Sequence, residues 1–354
     1  MSKMRVGIIF GGRSAEHEVS LQSAYNIVNA LDLSRFKPIL IGIDKAGHWY
    51  FNDTFDFLIN RSSNKLAVVF SKTNRQAKEA CWQSLLKHID IVFPIVHGTF
   101  GEDGCLQGLL RMAGLPFIGS DVLGSAVCMD KDISKRLLRD AGIAVTPFIT
   151  VTSRNIASIS FKKVVNKLGL PLFVKPANQG SSVGVSKVIN QLEYYAAVKL
   201  AMGFDEKVLI ESAVQNREIE CAILGNEKPI ASGCGEIVVS NGFYSYDNKY
   251  TNNHAAQMIV PANISVAVSE HIRYLSIKAF EVLGCAGLAR VDCFLTSDNE
   301  VLINEINSLP GFTNISMYPK LWHAAGMSYS ELVSRLIELA LERHARCMEL
   351  KIGR

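Results

Sequence analysis

Apolar residues recur along the chain in short blocks, and their spacing separates strands from helices. RVGIIF (5–10), PILIGI (38–43) and IDIVFPIV (89–96) are continuous apolar runs of strand length. Between the first two, Ala24, Ile27, Val28 and Leu31 fall on one helical face, and LQGLLRMAG (106–114) reads as a helix ending at Gly114. Buried strands alternating with helices predict an open parallel sheet covered by helices. From about residue 120 the pattern changes. The helical KDISKRLLRDAG is followed by the strand patterns PLFVKPA, VGVSKV, KVLIESAV, REIECAIL and PIASGCGEIVV. A polar, aromatic stretch, SNGFYSYDNKYTNNHAAQ (240–257), interrupts them. A helix near 266–283, the strands LARVDCFLT and VLINEIN, and a helix over 329–345 with Leu332, Leu336, Leu339 and Ala340 on one face complete the chain. The expectation is an N-terminal α/β domain over 1–119, followed by mixed α+β lobes over 120–213 and 214–354.

Composition narrows the classes. The 354 residues suffice for two or three domains, and 48% apolar with 20% charged residues is ordinary globular chemistry. A net charge of +4 without a basic tract argues against a nucleic-acid or anionic-lipid partner. The eight cysteines form no CxxC pair and several sit in apolar runs, so they read as reduced core thiols of a cytosolic protein. The N-terminal apolar run is too short for a signal peptide, and no run approaches the ~20 residues of a membrane helix. A soluble, cytoplasmic protein is expected.

Several stretches carry candidate chemistry. In FVKPANQGSSVGVSKV (173–188), small residues lie between two apolar runs. The segment is not GxxxxGK[ST]; it is either a plain hairpin or a backbone cradle for phosphate. In ARVDCF, period-two alternation puts Arg290, Asp292 and Phe294 on one face; in VLINEIN, Glu305 and Asn307 share a face. TSDNE between the two reads as a hairpin loop, so the strands are neighbours. Asp292, Glu305 and Asn307 then form either an oxygen cage suited to Mg²⁺ or a solvated polar face. Arg290 is either a stabiliser of transition-state charge or the ion-pair partner of Asp292 or Glu305. The N–H of Gly311, in the turn after the second strand, is a candidate oxyanion donor. Lys131 and Lys175, on separate elements, can clamp phosphates or lie on the surface. GGRSAEHEVS (11–20) follows the first strand, where a glycine turn entering a helix makes a ligand site. His97, Glu102 and Asp103 are polar groups of the loop VHGTFGEDG.

Taken together, GGRSAEHEVS, VHGTFGEDGCLQG, MDKDISKRLLRDAG, FVKPANQGSSVGVSKV, REIECAILG, FYSYDNKY, LARVDCF and NEINSLPGFTNISMYPKLW resemble, in that order and nearly end to end, the D-alanine–D-alanine ligase family of the ATP-grasp superfamily. The resemblance implies a two-lobed ATP-grasp fold behind the N-terminal domain. It implies attack of one D-alanine carboxylate on ATP, an acyl phosphate, and capture by the amine of a second D-alanine, for peptidoglycan precursor synthesis. By the same resemblance, Glu16 binds the ammonium of the first D-alanine with His97 close by, and Lys131 and Lys175 hold phosphates. Ser181, Ser182 and their glycine neighbours form the lid. Glu211 and Val214 contact adenine, largely through main chain, and Glu218 takes the ribose. Asp292, Glu305 and Asn307 carry two Mg²⁺, with Mn²⁺ as a substitute. Arg290 and the Gly311 N–H form the oxyanion site, and Lys249 and Ser316 hold the second carboxylate. Tyr250 joins Ser181 and Glu16 in a hydrogen-bonded set. A homodimer is also implied.

Other readings remain open to the sequence. A ligase using D-lactate is one, against which the tyrosine of FYSYDNKY argues. A dinucleotide oxidoreductase is another, suggested by GIIFGG but lacking GxGxxG. The last is a non-catalytic nucleotide-binding module, which the intact carboxylate set opposes.

Overall fold

The computed structural model describes residues 2–52, 78–79, 87–239 and 256–351. The first sheet is built on β1 (Met4–Gly11), with β2 (Phe36–Ile43) and β5 (Ile91–Ile95) parallel on either side. All six residues from Val6 to Gly11 are buried, as befits a central strand covered on both faces. Two strands not foreseen from the pattern, β3 (Trp49–Asn52) and β4 (Lys78–Glu79), extend the sheet antiparallel beyond β2. Helix α1 (His17–Ala30) buries Leu21, Ala24, Ile27 and Val28 against this sheet. Helices α2 (Cys105–Met112) and α3 (Val122–Met129) lead out of it.

The next lobe begins with α4 (Lys131–Asp140), whose first turn is capped by the Asp130 carboxylate accepting from the N–H groups of Asp132 and Ile133, both at 3.1 Å. Its four-stranded antiparallel sheet runs β6 (Phe148–Thr152), β9 (Lys207–Ser212), β7 (Leu172–Pro176), β8 (Ser186–Val188) in spatial order. Helices α5 (Phe161–Leu168) and α6 (Gln191–Ala201) cover it, and Val151, Val164, Leu172, Val174, Tyr194, Val208 and Ile210 form its own core.

The third sheet is antiparallel, in the order β12 (Ala256–Ile259), β11 (Ile230–Val239), β10 (Asn216–Gly225), β13 (Gly287–Thr296), β14 (Val301–Asn307). Helix α7 (Val266–Val282) packs on one face, while α8 (Met317–Ala324) and α9 (Tyr329–Glu349) close the other side. One continuous cluster joins Ile8, Phe10 and Phe93 of the first sheet to Phe312, Tyr318, Trp322 and Leu336. Phe312 meets Phe93 edge-on at 5.8 Å between ring centroids and also contacts Tyr318 and Tyr329. The N-terminal sheet and the third sheet are thus bonded through a shared core. The middle sheet keeps a separate core, while Leu138 of α4 and Ile143 after it pack into the core of the third sheet with Phe280, Val291 and Ile303.

Candidate active site

The third sheet presents a charged face. Glu220 pairs in register with Asp292, Asp292 with Glu305, and Arg290 with Asn307. Alternation then places Glu218, Glu220, Arg290, Asp292, Glu305 and Asn307 on one side of three adjacent strands. The ladder slips between Asp292 and Cys293, whose partners are Glu305 and Ile303, so Asn304 is the extra residue of a bulge. The bulge adds the Asn304 amide to the same region.

Arg290 is bidentate on Asp292, Nε to Oδ1 and Nη2 to Oδ2 each at 2.7 Å, and its Nε lies 3.0 Å from Glu220 Oε2. Burial disfavours the guanidinium charge, but Asp292 and Glu220 outweigh it and hold Arg290 firmly cationic. The ion pair with Asp292 is therefore present, and Glu220 is a partner the sequence reading did not name. Asn307 Nδ2 donates to Asp292 Oδ2 at 2.9 Å.

Lysines converge on this face from the middle lobe. Lys131, at the start of α4, donates to the Gln179 carbonyl at 2.8 Å, and its Nζ stands 3.5 Å from Glu305 Oε2. Lys175, at the end of β7, lies 2.7 Å from Glu211 Oε2 and 3.3 Å from Asn304 Oδ1. Glu211 is buried; desolvation pushes its carboxyl up, yet Lys135 and Lys175 together hold it below the usual range. Val214 follows in the short connection from β9 to β10, and Glu218 lies on β10 beyond it.

FVKPANQGSSVGVSKV is a hairpin: Leu172, Phe173 and Val174 pair antiparallel with Val188, Lys187 and Ser186. The second strand starts at Ser186, later than the apolar pattern suggests, because Gly184 (φ +71°) is still in the turn. Ser181 and Ser182 take φ of +50° and +59°, and the Ser181 hydroxyl donates to Glu16 Oε1. The hairpin tip therefore touches the N-terminal domain.

Glu16 precedes α1 and sits in a tight nest. A Cβ on Gly98 or Gly180 would lie 3.1 Å from Glu16 Oε2, so both loops approach the carboxylate closely, and Gly98 also holds a φ of +74° that favours glycine. Ser14 Oγ donates to the His97 carbonyl at 2.6 Å and accepts from the Glu16 N–H at 3.2 Å. The buried His97 ring contacts Ser23 Oγ at 3.3 Å and the Leu309 carbonyl at 3.2 Å. Burial lowers its pKa, against the opposing charge of Glu16. Glu102 Oε1 accepts from the Gly98 N–H at 2.7 Å; burial, reinforced by Glu16, raises its carboxyl to about 8. Gly311 packs against Ser316, whose Oγ accepts from the Thr313 N–H at 2.9 Å. Asp103 caps the nearby turn through Phe100 and Cys105 rather than entering this cluster. Lys249 and Tyr250 lie outside the described residues.

The donor set fits a nucleotide and a hard cation. Lys135 Nζ is fully buried and has its ion pair with Glu211 but, among the described residues, no hydrogen bond that satisfies its remaining protons. Lys135 and Lys175 share the single Glu211 carboxylate, which leaves surplus positive charge for an anion. Asp292, Glu305, Asn307 and Asn304 offer carboxylate and amide oxygens, the ligand type of Mg²⁺. The Asn307 amide turns its nitrogen to Asp292, so a half-turn about its last torsion presents the oxygen instead.

Two antiparallel sheets facing each other across lysines, carboxylates and a glycine-rich hairpin, behind an α/β domain, define an ATP-grasp enzyme. Residues 5–120 match the family profile "D-ala D-ala ligase N-terminus" and residues 137–338 match "D-ala D-ala ligase C-terminus". The chain is 60% identical to "D-alanine--D-alanine ligase A" of Salmonella typhimurium, covering 99% of both chains. Among solved structures it is similar to the D-alanine-D-alanine ligase of Coxiella burnetii, with a TM-score of 0.83, 39% identity and coverage of 99% of this chain and 97% of that one. It is also similar to the VanG D-Ala:D-Ser ligase of Enterococcus faecalis, with a TM-score of 0.82, 35% identity and coverage of 96% and 100%. The chain belongs to the D-alanine–D-alanine ligase family. Among the described residues, no helix is long and apolar enough to cross a membrane.

Proposed function

We propose that the chain joins two D-alanines to D-alanyl-D-alanine with conversion of ATP to ADP and phosphate, supplying a peptidoglycan precursor. The observation that carries the site assignment is the meeting of two lobes in one cleft: Lys131 and Lys175 face Glu305 and Asn304 across it. In this reading Glu16 receives the first D-alanine's ammonium beside His97, while Ser181 and Ser182 lower the hairpin over the phosphates. Lys131 and Lys175 neutralise those phosphates. Glu211 and Val214 contact adenine and Glu218 the ribose. Asp292, Glu305 and Asn307 hold two Mg²⁺, with Mn²⁺ as a substitute, and the ions supply charge neutralisation at the transferring phosphoryl group. Arg290 and the Gly311 N–H receive the oxyanion when the second amine attacks. Lys249 and Ser316 hold the second carboxylate, and Tyr250 seals the site with Ser181 and Glu16.

Closure matters because water competes for an acyl phosphate. The Ser181–Glu16 hydrogen bond supports the lid reading, since it ties the hairpin to the substrate end of the N-terminal domain. The proposal includes a division at 1–119, 120–213 and 214–354, a cytoplasmic location and a homodimer. The test is product mass after incubation with Mg-ATP and D-alanine, alone and with excess D-lactate or D-serine. D-alanyl-D-alanine as the major product in every mixture supports the reading; a depsipeptide or a D-serine dipeptide as the major product overturns the choice of second substrate.

A further inference from the structure

The buried lysine that no part of the proposed mechanism uses is Lys135. Lys131, Lys135 and Leu138 occupy one face of α4, and Lys135 is fully buried. Its Nζ reaches Glu211 Oε1 at 3.1 Å, while Lys175 takes the other oxygen, Oε2, at 2.7 Å. One carboxylate thus stands between two ammonium groups. An ammonium removed from water is strongly disfavoured unless its charge and its protons are answered. Here Lys135 makes one ion pair and no further hydrogen bond among the described residues.

We propose that Lys135 is a positioning residue for the nucleotide: it holds Glu211 from behind, so that Lys175 is fixed at the cleft without being neutralised, and the ATP phosphates complete the charge balance. The inference rests on the ATP reading of the cleft. With Lys135 charged, the group of Lys135, Glu211 and Lys175 carries a net positive charge. Without it, Glu211 pairs with Lys175 alone and the net charge toward the cleft falls to zero. The groups that act on Lys135 are Glu211 of β9, Lys175 of β7 and Glu305 of β14. Burial is the largest influence and lowers Lys135 to about 8, with Lys175 adding to the fall and Glu211 opposing it. An anion bound nearby raises it again, so nucleotide affinity and proton uptake are linked.

The test is equilibrium binding of Mg-ATP by calorimetry, without D-alanine, to wild type and Lys135→Met. The methionine keeps the unbranched stem as far as Cε and removes the ammonium with its charge. The expected result is about tenfold to a hundredfold weaker ATP binding, the range for one lost charge-assisted contact, with KM for D-alanine changed less than about twofold. Wild-type affinity should also fall about fivefold to tenfold between roughly pH 7.5 and 9 as Lys135 loses its proton, and the profile of Lys135→Met should be clearly shallower, keeping only what other groups such as Glu102, raised to about 8, contribute. Unchanged ATP affinity in folded Lys135→Met overturns the inference. Where the variant does not fold, a flat wild-type profile over the same range overturns it. Wild type that binds no ATP at any pH overturns the nucleotide reading itself, a separate outcome.

Discussion

Arg290→Met should destabilise the protein before any substrate is added. The guanidinium makes two 2.7 Å contacts with Asp292 and one of 3.0 Å with Glu220, and all three side chains are largely buried. Removing it takes the guanidinium from between two carboxylates on adjacent strands. Breaking one partner out of a buried ion pair costs about 3–5 kcal/mol, because the remaining charge stays desolvated. Water can reach this cleft, so the lower end, about 3 kcal/mol, is the expectation. The assay is urea unfolding followed by tryptophan fluorescence; of the three tryptophans, Trp322 is buried in the part of the core that packs beneath this sheet. Millimolar Mg²⁺ should recover part of the loss in the variant and do less for wild type, since the ion then takes over charge that the guanidinium balanced. A loss below about 1 kcal/mol, with no added response to Mg²⁺, would refute the argument that Arg290 is the counter-charge of this face.

Two further outcomes follow from named groups. Glu305→Gln should nearly abolish turnover, by about 10²-fold or more, while near-ultraviolet circular dichroism stays native; turnover within about threefold of wild type would remove Glu305 from the metal set. Glu102 is raised from an ordinary carboxylate to about 8, so the folded state binds the extra proton between roughly pH 4.5 and 8 and its contribution to stability fades as pH rises through that window. Glu102→Gln should therefore flatten the fall in stability across that range, and an unchanged slope in pH-dependent urea unfolding would contradict the half-buried, protonated carboxyl.

Much of the fold was legible because apolar blocks bounded by glycine and polar residues mark buried strands well. The pairing of β13 with β14 followed from a short polar loop between two alternating segments, and that pairing brought Asp292, Glu305 and Asn307 together. Glu220 was missed although the same alternation exposes it: REIECAIL puts Glu218 and Glu220 on one face, but strand adjacency of β10 and β13 is non-local and spans about 70 residues of chain. Lys135 was missed for a different reason. A lysine in an amphipathic helix ordinarily faces water, and only the three-dimensional approach of β9 reveals that it faces Glu211. Asn304 enters the cleft through a bulge, which shifts the alternation by one residue and hides it from a period-two pattern. The added strands β3 and β4 are short edge elements whose pairing depends on the strand beside them.

The measurement that bears most directly on the central claim is oxygen transfer from substrate to phosphate. D-alanine labelled with ¹⁸O in its carboxylate is incubated with Mg-ATP, and the phosphate released is analysed by mass. If the carboxylate attacks the terminal phosphoryl group and the second amine then displaces phosphate from the acyl carbon, one labelled oxygen leaves with each phosphate and D-alanyl-D-alanine forms in equal amount. Phosphate without label, or released independently of D-alanine, would contradict the account.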